Sequence, residues 1–120
     1  MHALIIEDET FTSLAIQGVL ADNGCTSFDF AASFTEAVAA AARRRPDLIT
    51  ADVRLAPGNG VDAVQSICAD RQIPVVFITG TGAEARQRCP DIIVIDKPFA
   101  SAQIAAAVRA AIGARSVKAD

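Results

Sequence analysis

The chain has 120 residues, a length that suits one compact domain. Apolar residues make up 52% of it and charged residues 21%, which excludes a disordered chain. A net charge of −3 and the absence of Trp and Tyr leave neither a basic field nor a stacking platform for nucleic acid.

Short apolar runs alternate with helical patterns. Ala3-Leu4-Ile5-Ile6 reads as strand 1. Phe11, Leu14, Ala15 and Leu20 recur at helical spacing up to Asn23-Gly24, a helix stop. Cys25 to Ala31 reads as strand 2. Ser33 then caps a helix, with Glu36 completing a capping box. That helix ends in Arg43-Arg44-Arg45-Pro46, where cations complement the helix dipole and proline stops the turn. Leu48-Ile49-Thr50-Ala51 is strand 3. A loop with Pro57, Gly58 and Gly60 leads to a helix marked by Val61, Val64, Ile67 and Cys68. Pro74 to Ile78 is strand 4 and Ile92 to Ile95 is strand 5. Only Gly80 to Asp91 lie between strands 4 and 5, so the fourth helix is predicted to be short or irregular. The last helix carries Ile104, Val108 and Ile112 on one stripe, and the tail from Arg115 to Asp120 is expected to fray.

This order is βα repeated five times. Uniformly apolar strands imply a parallel sheet covered by helices on both faces, a doubly wound α/β domain over residues 1–120 with right-handed crossovers. Cys25, Cys68 and Cys89 make no Cys-x-x-Cys pair, so no zinc or redox motif is read, and free thiols fit a reducing cytosol. The N-terminus runs into acidic residues, unlike a signal peptide. No apolar run approaches the ~20 residues that span a bilayer. A cytoplasmic protein without membrane or nucleic-acid partners is expected.

Ligands of an open parallel sheet bind beyond the carboxyl ends of its strands. Strand 1 ends in Glu7-Asp8-Glu9, strand 3 in Asp52, strand 4 in Thr79-Gly80 and strand 5 in Asp96-Lys97-Pro98. Any one of these could be only a helix cap or turn residue. Together they gather carboxylates, a hydroxyl and an ammonium on one edge. Crowded carboxylates repel, and Mg²⁺, a hard cation with oxygen ligands, relieves that repulsion. Asp8 and Asp52 would be direct ligands, and Glu7 would act directly or through water. Lys97 and the metal would offset charge on a phosphoryl group attacked by Asp52, giving an acyl phosphate. Thr79 could hydrogen-bond that group.

Over nearly its whole length the chain resembles a response-regulator receiver domain of two-component signalling. The resemblance rests on Leu4-Ile5-Ile6-Glu7-Asp8-Glu9, Asp52 with Gly60 eight residues later, Thr79-Gly80 and Lys97-Pro98-Phe99. It implies a flavodoxin-like receiver fold, Asp52 as phosphoacceptor, Glu7 and Asp8 as the acidic pair, Thr79 as the switch hydroxyl and Lys97 as the phosphate contact. It also implies that Arg54 lends its backbone carbonyl to Mg²⁺, and that the Lys97–Pro98 bond is cis. The run Asp52 to Ala56 is similar to receivers of the bacterial general stress response. Three features depart from the family. Val94 stands where receivers carry an aromatic residue, Ala56 stands where they carry proline, and the helix 4 segment is short.

The expected function is a phosphorylatable switch. A histidine kinase or phosphotransfer protein docks near helix 1 and supplies the phosphoryl group, and an unknown protein receives the output. The resemblance makes it a switch rather than an enzyme. A phosphorylation-independent pseudo-receiver is the alternative. An aspartate-nucleophile phosphatase would want Asp-x-Asp after strand 1, and nucleotide binding would want a Gly-x-x-x-x-Gly-Lys loop; neither is present. His2 lies away from the strand ends and is read as incidental. The start at Met1 and the end after helix 5 fit a stand-alone receiver or a piece of a longer regulator.

Overall fold

The structure, a computed structural model, describes residues 1–114 in full and the backbone to Ala119; the expected frayed tail from Arg115 lies outside the fully described residues. Its elements are β1 (His2–Ile6), α1 (Thr10–Asp22), β2 (Ser27–Ala31), α2 (Phe34–Arg43), β3 (Leu48–Ala51), α3 (Gly60–Ile67), β4 (Val75–Thr79), α4 (Gly82–Arg88), β5 (Ile93–Asp96) and α5 (Ser101–Ala119). The five strands form one parallel sheet in the order β2-β1-β3-β4-β5.

Alternation along the strands explains their uniform apolarity. Leu4, Ile6, Ile49, Val75 and Phe77 pack on one face with Ala37, Ala41, Val61, Val64 and Ala85 from α2, α3 and α4. Ala3, Ile5, Leu48, Val76 and Ile78 pack on the other with Ile16, Leu20, Ile104 and Val108 from α1 and α5. Each strand residue thus meets a helix on whichever side it points.

Boundaries moved for local reasons. Cys25 donates its N–H to Leu20, so it closes the end of α1 instead of opening β2. Pro74 has no N–H and only accepts from Ile49, so β4 starts one residue later. At the other end β4 reaches Thr79 and β5 reaches Asp96, and these two residues pair in register. The Ser33 side chain accepts from the Glu36 N–H, whereas Glu36 reaches back to the N–H of Ala32 rather than of Ser33. Arg43 lies in the last turn of α2, and Arg45 donates to the Gln72 carbonyl.

The face of α1 differs from expectation. Ser13, Ile16 and Leu20 are buried, whereas Phe11 and Leu14 are 81% and 53% exposed. Positions 13, 16 and 20 form a stripe of their own, and in a helix apolar on several sides only one stripe can meet the sheet. His2 also proves structural. It is buried in β1, and its ring bonds Ser27 at 2.8 Å and Asp29 at 2.9 Å, fastening the edge strand β2.

The helix α4 is seven residues long and buries only Gly82 and Ala85. Its remaining ties are polar and mostly exposed. Arg88 reaches Asp62 at 2.6 Å and Gln65 at 2.9 Å, Asn59 donates to Glu84 at 2.9 Å, and Arg86 forks onto both oxygens of Asp96.

Candidate functional site

The ladder hydrogen bonds of the sheet run on past its strands and fix the acidic residues. The Glu7 N–H bonds the Ala31 carbonyl at 2.9 Å, and the Asp52 N–H bonds Ile6 at 2.9 Å. Both residues are buried, at 5% and 9% exposure, while Asp8 is exposed. Behind Asp52 the chain doubles back. Leu55 and Gly58 bond, as do Gly60 and Val53, and these two bonds flank the Arg54–Asn59 pair. The Arg54 carbonyl is therefore not used by the turn. A β-carbon at residue 60 would overlap the Asp52 carbonyl oxygen, so only glycine fits this close approach.

Lys97 closes the edge. Its N–H bonds the Thr79 carbonyl at 2.9 Å, and its ammonium reaches Glu7 Oε1 at 2.6 Å and Asp52 Oδ2 at 2.7 Å. The following peptide bond to Pro98 is cis, as is Ala56–Pro57, which sequence reading did not foresee. Burial pushes the Glu7 carboxyl above its ordinary range, and the nearby Asp52 charge adds to this against the pull of Lys97. Burial works against the Lys97 ammonium, yet its bonds to Asp52 and Glu7 outweigh that and hold its pKa high. Two buried carboxylates thus share one cation, and a negative charge is left over.

Thr79 is fully buried at the end of β4. Its hydroxyl accepts from the Thr81 N–H at 3.1 Å, shares a hydrogen bond with the Thr81 hydroxyl at 3.1 Å, and lies 3.5 Å from the N–H of Val53, next to Asp52. It does not bond Asp52 directly. Thr81 is the neighbour that sequence reading passed over; the only signal was the Thr-Gly-Thr spacing of 79 to 81. Val94 is partly buried and packs against the core cluster on the α2–α3–α4 face of the sheet.

Among the described residues, no three Asp, Glu, His or Cys side chains converge as a metal shell, because Glu7 and Asp52 turn to Lys97 and Asp8 is exposed. The oxygen donors nonetheless suit Mg²⁺, which uses one or two carboxylates and keeps several waters. The Asp52 carboxylate, the exposed Asp8 and the unused Arg54 carbonyl are such donors.

The family model for the response regulator receiver domain matches residues 3–109. The chain belongs to the response-regulator receiver family. This receiver is 34% identical over 113 residues to the phyllosphere-induced regulator PhyR of Methylorubrum extorquens, covering 91% of this chain and 42% of that protein. The receiver also resembles solved structures. The PhyR response regulator of Brucella abortus superposes with a TM-score of 0.87 at 26% identity, over 98% of this chain and 49% of that one. The receiver (REC) domain of Erythrobacter litoralis PhyR gives 0.83 at 31% identity, over 93% and 89%. This receiver spans under half the length of the Methylorubrum regulator, and its stress-response resemblance agrees with these PhyR relatives. No helix among the described residues is long and apolar enough to cross a membrane.

Proposed function

We infer that this receiver takes a phosphoryl group on Asp52 from a histidine kinase or histidine phosphotransfer protein in the cytoplasm, with Mg²⁺ as cofactor, and passes the change to a protein target. The observation that carries this is the Lys97 ammonium held between Asp52 and Glu7 where three strands end. Nothing in a structural turn requires a half-buried lysine to bridge two buried carboxylates.

An Asp52 oxygen attacks phosphorus, a P–O bond forms as the donor's P–N bond breaks, and the imidazole leaves after taking a proton. Lys97 offsets charge on the transferred group. Asp8, Asp52 and the Arg54 carbonyl would hold Mg²⁺, with Glu7 bound directly or through water; when bound, the metal supplies positive charge to the phosphoryl oxygens. The Val53 N–H, which donates to the Thr79 hydroxyl at 3.5 Å, is a further donor once that hydroxyl moves. Thr79 reaches the phosphoryl group by leaving Thr81, which frees the entry to α4. Val94 has no ring to rotate, so an order change in α4 carries the signal instead. The exposed Phe11 and Leu14 on α1 support that helix as the kinase-docking face.

Incubation with acetyl phosphate and Mg²⁺, followed by intact mass measurement, tests this. Wild type gains one phosphoryl group and Asp52→Ala gains none. Absence of the adduct on wild type, or its persistence in the variant, sinks the reading. Val94 favours a second one, a pseudo-receiver whose partner affinity is the same with and without a phosphoryl mimic.

A further inference from the structure

Two cysteines remain outside the chemistry above. Cys68 caps the C-terminus of α3 and Cys89 that of α4. Both are free and half-buried, and both line one cavity of about 470 Å³ bounded by Val64, Ile73, Val75 and Ile92. The Gln65 amide lies 4.0 Å from the Cys89 sulfur. Gln65 sits one turn before Cys68, and helix positions three apart hold their Cβ atoms about 5–6 Å from each other. The Cys89 sulfur therefore lies against the side of α3 that ends in Cys68. Burial pushes the Cys68 thiol up, the Ile73 backbone and Arg71 oppose this, and charge on Cys89 adds to it, so the two sulfurs sense each other.

We propose that Cys68 and Cys89 are a redox modification site: a peroxide closes them into an intramolecular disulfide that ties α3 to α4, and a thiol reductant opens it. The thiolate of one cysteine attacks a peroxide oxygen. The O–O bond breaks, leaving a sulfenic acid and an alcohol or water. The second thiol attacks that sulfur, the S–S bond forms, and the hydroxyl leaves as water. Two electrons pass from the sulfurs to the peroxide. A disulfide needs Cα atoms roughly 4.4–6.8 Å apart, a spacing that the backbone sets, so closure would require the weakly buried end of α4 to seat Cys89 at that distance across the cavity that both cysteines line. Cys25 is 3% exposed in the core on the other face of the sheet and stays out of the reaction. The tie would matter because α4 buries so little of its own surface. Thr79 and Thr81 control its entry, and Cys89 would pin its exit. Formation of the disulfide does not depend on phosphorylation of Asp52.

The test is to treat the full chain with hydrogen peroxide, block the remaining thiols, digest without reduction and map the peptides. The expected result is a Cys68–Cys89 linked peptide, an intact mass lower by two hydrogens, a blocked Cys25, and reversal by dithiothreitol. Cys68→Ser and Cys89→Ser each lose the link. In oxidised wild type, amide exchange over Gly82–Arg88 slows. Should a serine variant fail to fold, the wild-type map decides alone. A link through Cys25, dimers in place of the internal link, single-cysteine oxidation without a link, or no change overturns the proposal.

Discussion

The acidic edge and α4 are neighbours built on opposite principles. At the edge, Glu7, Asp52 and Thr79 are buried on the ladder of the sheet, and each is held by backbone bonds. In α4, only Gly82 and Ala85 are buried and the rest is tied by exposed ion pairs. Chemistry at Asp52 needs atoms fixed in advance, whereas transmission needs a segment that costs little to move. The contrast places the rigid region where the phosphoryl group would attach and the loose segment a single hydroxyl away.

The sharpest way to break the rigid half is Gly60→Ala. The added carbon overlaps the Asp52 carbonyl, and overpacking against backbone costs about 3 kcal/mol. Urea denaturation will show a lower midpoint, and the acetyl phosphate adduct will be lost with it. Next comes Lys97→Ala, which leaves Glu7 and Asp52 unpaired. The edge is partly solvated, so a loss of about 2 kcal/mol is expected without Mg²⁺, below the full penalty of a deeply buried pair.

Smaller is Glu7→Gln, which removes one of two like charges. It should stabilise the metal-free protein by about 1 kcal/mol at neutral pH while weakening stabilisation by Mg²⁺. The sign with pH follows from Glu7. Its folded pKa is raised, so its contribution is fully present below the ordinary glutamate range and is lost as pH rises through the raised value. Wild-type stability will therefore lose this contribution over that window, and the Gln variant will not. Lys97, also raised, keeps its contribution at neutral pH and loses it only above the ordinary lysine range.

The smallest effect falls on α4. Arg86→Ala removes an exposed fork onto Asp96, and global stability should barely move. Amide exchange across Gly82–Arg88 will nevertheless quicken. If exchange there is unchanged, the ion pairs do not hold the segment and the contrast between the two regions fails.

The acidic edge was legible because polar residues interrupt apolar runs at the ends of strands, and a parallel sheet brings those ends together. The short α4 was legible from its residue count alone. Other features had no such signal. His2 bonds Asp29 across 27 positions, and Arg86 meets Asp96 across ten, with no period to reveal either. The buried face of α1 was legible only in part: of Phe11, Leu14, Ala15 and Leu20 only Leu20 meets the sheet, and Ser13 and Ile16, not the exposed Phe11 and Leu14, complete that face. Thr81 was invisible because its importance lies in the hydroxyl it holds.

Glu7 and Lys97 meet across 90 positions of chain. During synthesis the two carboxylates would be made early and their shared cation almost last. A nascent chain lacking β5 would have repelling acids at its centre and no counter-charge. The acidic edge thus completes only when nearly the whole domain has emerged, and a truncated product would not present a working phosphoacceptor to a kinase.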